Sequence, residues 1–166
     1  MRTKTAIVVL LGLGMLLATG CAAAAGTEKA YAQADVTFNQ EMITHHQQTI
    51  QLAEAADGRA GSSYVRDLAA RLVPEERADI AMMESWLRSW SEPVPMEPDA
   101  GVGAGLPRGD GFDRAWLTAL SEHLHHGVMM AESVRKSGRH GPTLELAGKI
   151  IQVQNAELKE IGERLA

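Results

Sequence analysis

The stretch that decides the fold is DVTFNQEMITHHQQTIQLAE, residues 35–54, because DRAWLTALSEHLHHGVMMAE, residues 113–132, echoes it 78 residues later without a gap. Asp35, Phe38, Met42, His45, Ala53 and Glu54 recur as Asp113, Trp116, Leu120, His123, Ala131 and Glu132. The same offset carries Leu68, Ala69, Ala78 and Asp79 onto Leu146, Ala147, Ala156 and Glu157. A repeat of this length means one structural unit used twice. Function is then sought where both copies put polar groups inside an apolar stripe.

Helical spacing of apolar residues predicts four amphipathic segments. Helix A runs from about Asp35 to Asp57 and helix B from Ser63 to Trp90. Helix C runs from Asp113 to Lys136 and helix D from Pro142 to Leu165. Gly58 to Gly61 and Gly138 to Gly141 are turns, and Pro142 suits the first position of a helix. Ser91 to Gly111 is rich in Pro and Gly and predicts a connection without regular structure. Asp35 and Asp113 are read as N-caps. Pro74 is expected to kink or break helix B. Two αα-hairpins joined by a long connection give an all-α four-helix bundle, with the copies packed about a pseudo-twofold axis.

The N-terminus reads as a targeting segment. Arg2 and Lys4 precede an apolar run from Ala6 to Leu17, too short to span a bilayer. Leu17-Ala18-Thr19-Gly20-Cys21 resembles a bacterial lipoprotein signal with Cys21 as the lipidated residue. The other reading is an ordinary secretory signal cut near Ala23-Ala24-Ala25, and either one exports the domain. Residues 22–34 read as a flexible tether and residues 35–166 as one duplicated domain, with copies at about 35–91 and 113–166 and a linker at 92–112. Cys21 is the only cysteine, so disulfides contribute nothing and the core must supply stability. Losing Arg2 and Lys4 takes the formal net charge from −5 to −7. That excludes a nucleic-acid partner, which needs basic faces, and is compatible with attracting cations.

Phe38, Met42, His45, His46 and Thr49 share one stripe of helix A, and Trp116, Leu120, His123, Gly127 and Met130 share its equivalent on helix C. Asp79 and Glu157 fall mid-face on helices B and D, where a lone carboxylate needs a partner. His45 and His123 are the expected partners, either as satisfied core pairs or as imidazoles oriented for a metal. The candidate metal ligands are Met42, His45, His46, His123, His126 and Met130. Asp79, Glu157, Met82 and Met83 are candidates for supporting or direct contacts. Imidazole and thioether without thiolate suit copper, and thioether favours Cu(I). Methionines in such stripes are often core filler. His125 and Met129 point away from the core and read as a surface site or handover patch. His140 and Met96 receive no role.

At these residues the chain resembles the family of domain-of-unknown-function 305, DUF305, exported bacterial proteins with a duplicated His-His motif. Asp35, Phe38, Met42, His45-His46 and Ala53 match the pattern in copy one. Asp113, Trp116, His123, Met130-Ala131, Gln154 and Glu157 match it in copy two. The resemblance implies a ferritin-like bundle and a link to copper, since some relatives bind it. Leu52, Leu120 and Leu124 replace two methionines and one histidine of the pattern, and Glu76 and Asp79 stand for its Gln and Glu. A site built around copy one is therefore expected over a symmetric pair.

Two other functions compete. A di-iron enzyme or iron store would use Glu-x-x-His motifs facing inward. Here only Glu122-x-x-His125 has that spacing, and it faces outward. A surface-tethered structural or interaction bundle would use the histidines only to satisfy its core. No nucleophile motif or phosphate-cradling loop is present, so an enzyme is not expected. The expected partners are a metal ion and a membrane reached through the lipid, with any protein partner unknown.

Overall fold

The computed structural model describes residues 29–99 and 101–166. The targeting segment, Cys21, tether residues 22–28 and Ala100 lie outside the described residues. Helix α1 spans Gln33–Glu54, α2 Ser63–Ser89, α3 Phe112–Ser137 and α4 Gly141–Leu165, with a 3-10 turn at Gly109–Gly111 before α3. The described residues contain no strand, and the fold is an all-α four-helix bundle.

Apolar residues at helical spacing build two core clusters, one toward each end of the bundle. Leu52, Leu68, Leu72, Trp116, Leu120 and Ile161 belong to one, and Phe38, Met42, Met83, Leu87, Val134 and Ile150 to the other. Each draws on all four helices, so neither hairpin closes a core alone. Burying one such side chain contributes roughly 1.5–3 kcal/mol. Between the clusters lies a buried polar layer of His45, His46, Thr49, Glu76, Asp79, Gln154 and Glu157.

The two copies cross with α1 antiparallel to α3. Trp116 lies beside Leu52 and His123 beside His45. The pseudo-twofold is visible in matched hydrogen bonds. Asp113 on α3 accepts from the amides of Gly61 (2.9 Å) and Ser62 (2.7 Å) at the start of α2. Asp35 on α1 accepts from the amides of Arg139 (2.8 Å) and His140 (3.1 Å) at the start of α4. Each aspartate therefore satisfies orphan amides at the turn of the other hairpin. This corrects the N-cap reading. Ala32 is the N-cap of α1, Asp35 sits three residues in and also accepts from the Ala32 amide at 2.7 Å, and Asp113 lies inside α3.

Two further expectations change. Helix α1 ends at Glu54, not Asp57, because the indole N–H of Trp116 takes the Leu52 carbonyl at 2.6 Å. The Ala56 amide then bonds to Ala53 instead, and the chain tightens into a turn. Pro74 does not break α2, which runs on through it. Pro74 and Ala70, whose carbonyl loses its amide partner, both lie on the exposed face where that carbonyl is open to solvent, while Leu72 and Glu76 stay buried. Among its described residues, the connection after α2 has no helix or strand until Gly109 apart from local turns, as its composition predicts. Gln40 and Gln51 of α1 hold it through the carbonyls of Pro93 (2.9 Å) and Pro98 (3.1 Å).

Candidate metal-binding site

His45 and His123 meet on the pseudo-twofold axis. Their rings stack with centroids 3.8 Å apart and an interplanar angle of 8°. His45 Nε2 lies 2.9 Å from the His123 carbonyl, and His123 Nε2 lies 3.0 Å from the His45 carbonyl. A carbonyl only accepts, so each Nε2 carries the proton and each Nδ1 keeps its lone pair. His45 Nδ1 is buried and has no hydrogen-bond partner among the described residues. Burial, with the charge of His123 adding to it, pushes the His45 imidazole down to about 3. Burial also lowers His123. His45 therefore stays neutral at ordinary pH, with one nitrogen anchored to a backbone carbonyl and the other free, the state a metal-ligating histidine needs.

His45 lines a cleft of about 570 Å³ together with Gln40, Thr44, Gln48, His126 and Met130, roofed by Pro93 and Pro95 of the connection. The His45 and His126 ring centroids are 5.8 Å apart. His126 and Met130 lie one turn apart on α3, so both reach the same wall. A neighbouring hollow of about 370 Å³ shares Glu41, His126 and Met130 with this cleft and adds Met129. The site therefore mixes copies, with His45 from one and His126 and Met130 from the other. At the offset of the repeat, Gln48 and Leu52 stand where His126 and Met130 do, so the symmetric position lacks those donors. Gly127 makes the close approach possible. A Cβ there would lie 2.5 Å from Gln154 Oε1 and 2.9 Å from His45 Cε1.

His46 turns to the opposite side, which corrects the single His-His stripe. Its Nδ1 is 2.8 Å from Glu76 Oε2 and its Nε2 is 3.9 Å from Asp79 Oδ2. The expected pairs of His45 with Asp79 and His123 with Glu157 are not formed. Asp79 instead pairs with Lys149 at 2.7 Å, and Glu157 with Arg71 at 3.4 Å. Burial still raises the Glu157 carboxyl, with Arg71 acting against it. Periodicity places a residue on a face but does not choose its partner across the bundle. Arg71 and Lys149 are themselves related by the repeat offset, which is the sequence signal that reveals them.

The family model for DUF305, described as a domain of unknown function, matches residues 35–105 and 104–165. The chain belongs to the DUF305 family. CopM in its Cu(II)-bound form is 30% identical with a TM-score of 0.69, covering 79% of this chain and 96% of CopM. CopM in its Cu(I)-bound form is 28% identical with a TM-score of 0.71, covering 78% and 93%. A DUF305 protein of Streptomyces coelicolor is 26% identical with a TM-score of 0.69, covering 80% and 91%. No curated protein sequence matches the chain.

The remaining candidates scatter in this DUF305 chain. Met42 and Met83 are fully buried in the apolar cluster around Phe38 and do not line the cleft. Met82 is 39% exposed on α2 and Met129 60% exposed on α3. His125 is exposed, and its Nδ1 donates to the Ser121 carbonyl at 3.1 Å. His140, given no role from sequence, is the N-cap of α4, where its ring nitrogen accepts from the Thr143 amide.

Proposed function

We propose that this chain is an exported, lipid-anchored copper-binding protein that sequesters the ion or passes it on, and that it is not an enzyme. The observation that carries the reading is the cleft where His45, His126 and Met130 come together. Among the described residues no three His, Cys, Asp or Glu side chains form a metal-binding group, so the thioether of Met130 completes the set. Two imidazoles and a thioether suit Cu(I). His123 acts through its carbonyl, which fixes the tautomer of His45. Similarity to copper-bound and silver-bound forms of CopM supports the same choice of ion. No described helix is long and apolar enough to cross a membrane; the proposed lipid anchor rests on the lipoprotein-like sequence ending at Cys21.

Both core clusters draw on residues 31–165, so a chain starting at residue 22 carries the whole core. Cu(I) affinity of residues 22–166 is measured by competition with a chromogenic chelator, beside His45→Ala and His126→Ala. Tight binding by the wild type, weakened at least tenfold in each variant, is the expected result. Equal affinity in all three proteins overturns the assignment and favours a purely structural role for the stacked histidines.

A further inference from the structure

The connection after α2 crosses the copper cleft as a strap. Helix α2 ends at Ser89, and Ser91 takes a left-handed backbone turn with φ of 59°. The Glu92 amide bonds to the Leu87 carbonyl at 2.9 Å, which fixes the start of the strap. Two side chains of α1 then pin it. Gln40 donates to the Pro93 carbonyl at 2.9 Å and Gln51 to the Pro98 carbonyl at 3.1 Å. On α1 the rise from Gln40 to Gln51 is about 16 Å. From Pro93 to Pro98 a fully extended chain spans about the same distance. The strap therefore runs nearly straight along α1, and Met96 stands level with the turn from His45 to Gln48. The cleft agrees, since Pro93 and Pro95 line it together with Thr44, His45 and Gln48.

Successive side chains of an extended chain face opposite ways. Pro95 faces the cleft, and Met96 beside it faces out, 89% exposed. Between the pins, no hydrogen bond among the described residues holds the backbone of residues 94–97. Rotation of this segment about its long axis leaves both ends in place and carries Met96 from the outer side to the inner one. Pro93, Pro95 and Pro98 have fixed φ, so the segment has few conformations to lose when it settles.

The donors of the cleft come from two sides. His45 stands on α1, and His126 and Met130 on α3. The strap covers the side they leave open, and its one soft donor is Met96. We infer that Met96, which the sequence alone leaves without a role, is a fourth copper ligand that the strap turns into the cleft as the ion binds. Two imidazoles and two thioethers form a four-donor set that suits Cu(I). The ion is then held between the helices and a strap already pinned across them, and it leaves only when the strap turns back. The inference rests on the copper reading of the cleft and adds to it a ligand from a third element.

The test is carbon-13 labelling of the methionine methyls in residues 22–166. The signals come from Met42, Met82, Met83, Met96, Met129 and Met130, each assigned by substitution with Leu. One equivalent of Cu(I) is added without oxygen. The expected result is that the Met96 and Met130 signals move together while Met82, exposed on α2, stays in place. Met96→Leu, a change on the exposed strap, should speed release of Cu(I) to a chelator at least tenfold. A Met130 signal that moves without Met96 overturns the inference and leaves the copper reading standing. Signals that both stay in place overturn the two together. A Met82 signal that moves as far as Met96, or release from Met96→Leu at the wild-type rate, also overturns the inference, because Met96 is then only one more exposed thioether.

Discussion

Acidification should expose the cost of the buried His45 imidazole. In the folded protein burial holds it down to about 3, against an ordinary value of 6.5. Between those values the unfolded chain carries a proton that the folded chain does not. Stability therefore falls as pH drops through about 6.5, and the penalty is complete below about 3. Going from about pH 7.5 to about pH 4 crosses roughly 2.5 pH units of that interval, and at about 1.4 kcal/mol per unit this removes roughly 3 kcal/mol. His45 is 3% exposed, so solvent screening does little to reduce the figure. A whole domain is stable by only about 5–15 kcal/mol. The assay is urea unfolding of wild type and His45→Gln at both pH values, with equal m-values as the control. Other titrating groups are common to both proteins and cancel to first order. At neutral pH the variant is the less stable, because it loses the ring stack and the bond to the His123 carbonyl. At about pH 4 the gap should close by roughly 3 kcal/mol or reverse. A gap that stays constant within about 0.5 kcal/mol refutes the argument that His45 is buried neutral.

Gly127→Ala puts a methyl 2.5 Å from Gln154 Oε1 and 2.9 Å from His45 Cε1. Overpacking costs about 1–3 kcal/mol, against a gain of roughly 1 kcal/mol from helix propensity. The expected outcome is a net loss of about 1 kcal/mol in urea unfolding and a Cu(I) affinity lowered about tenfold as His45 shifts; a more stable variant with unchanged affinity contradicts it. Asp113→Ala removes the acceptor for the Gly61 and Ser62 amides and should cost about 1 kcal/mol. Burial acts to raise the Asp113 carboxyl, but hydrogen bonds from Ser62 and Gly61 bring it below its ordinary value. The difference between wild type and variant is then present above about pH 4 and disappears as pH falls through the lowered value; a difference that persists in acid means the cap is not ionic.

The repeat, the helix count and the Pro/Gly connection are legible in residues 35–54 and their echo, because apolar periodicity follows from backbone geometry and burial. The histidines and methionines of interest stand out for their chemistry. What the sequence does not determine is which of them meet. His45 and His46 are neighbours in the chain, yet one turns toward His123 and the other toward Glu76. Adjacent residues on a helix lie about 100° apart, and that angle separates two faces of a thin bundle. Asp79 and Glu157 were expected to meet the histidines of their own copies, but Lys149 and Arg71 reach them across the axis. Those cations sit on half-exposed positions where one more Lys or Arg carries no periodic signal. Even the length of α1 depends on a residue 64 positions away, since Trp116 takes the Leu52 carbonyl that would have extended the helix. Sequence by itself determined the four helices, their duplication and the inventory of metal donors, because these depend on local spacing and side-chain chemistry. Only the tertiary structure decided that the cleft takes donors from both copies, because the antiparallel crossing of α1 and α3 brings His45 to His126 and Met130.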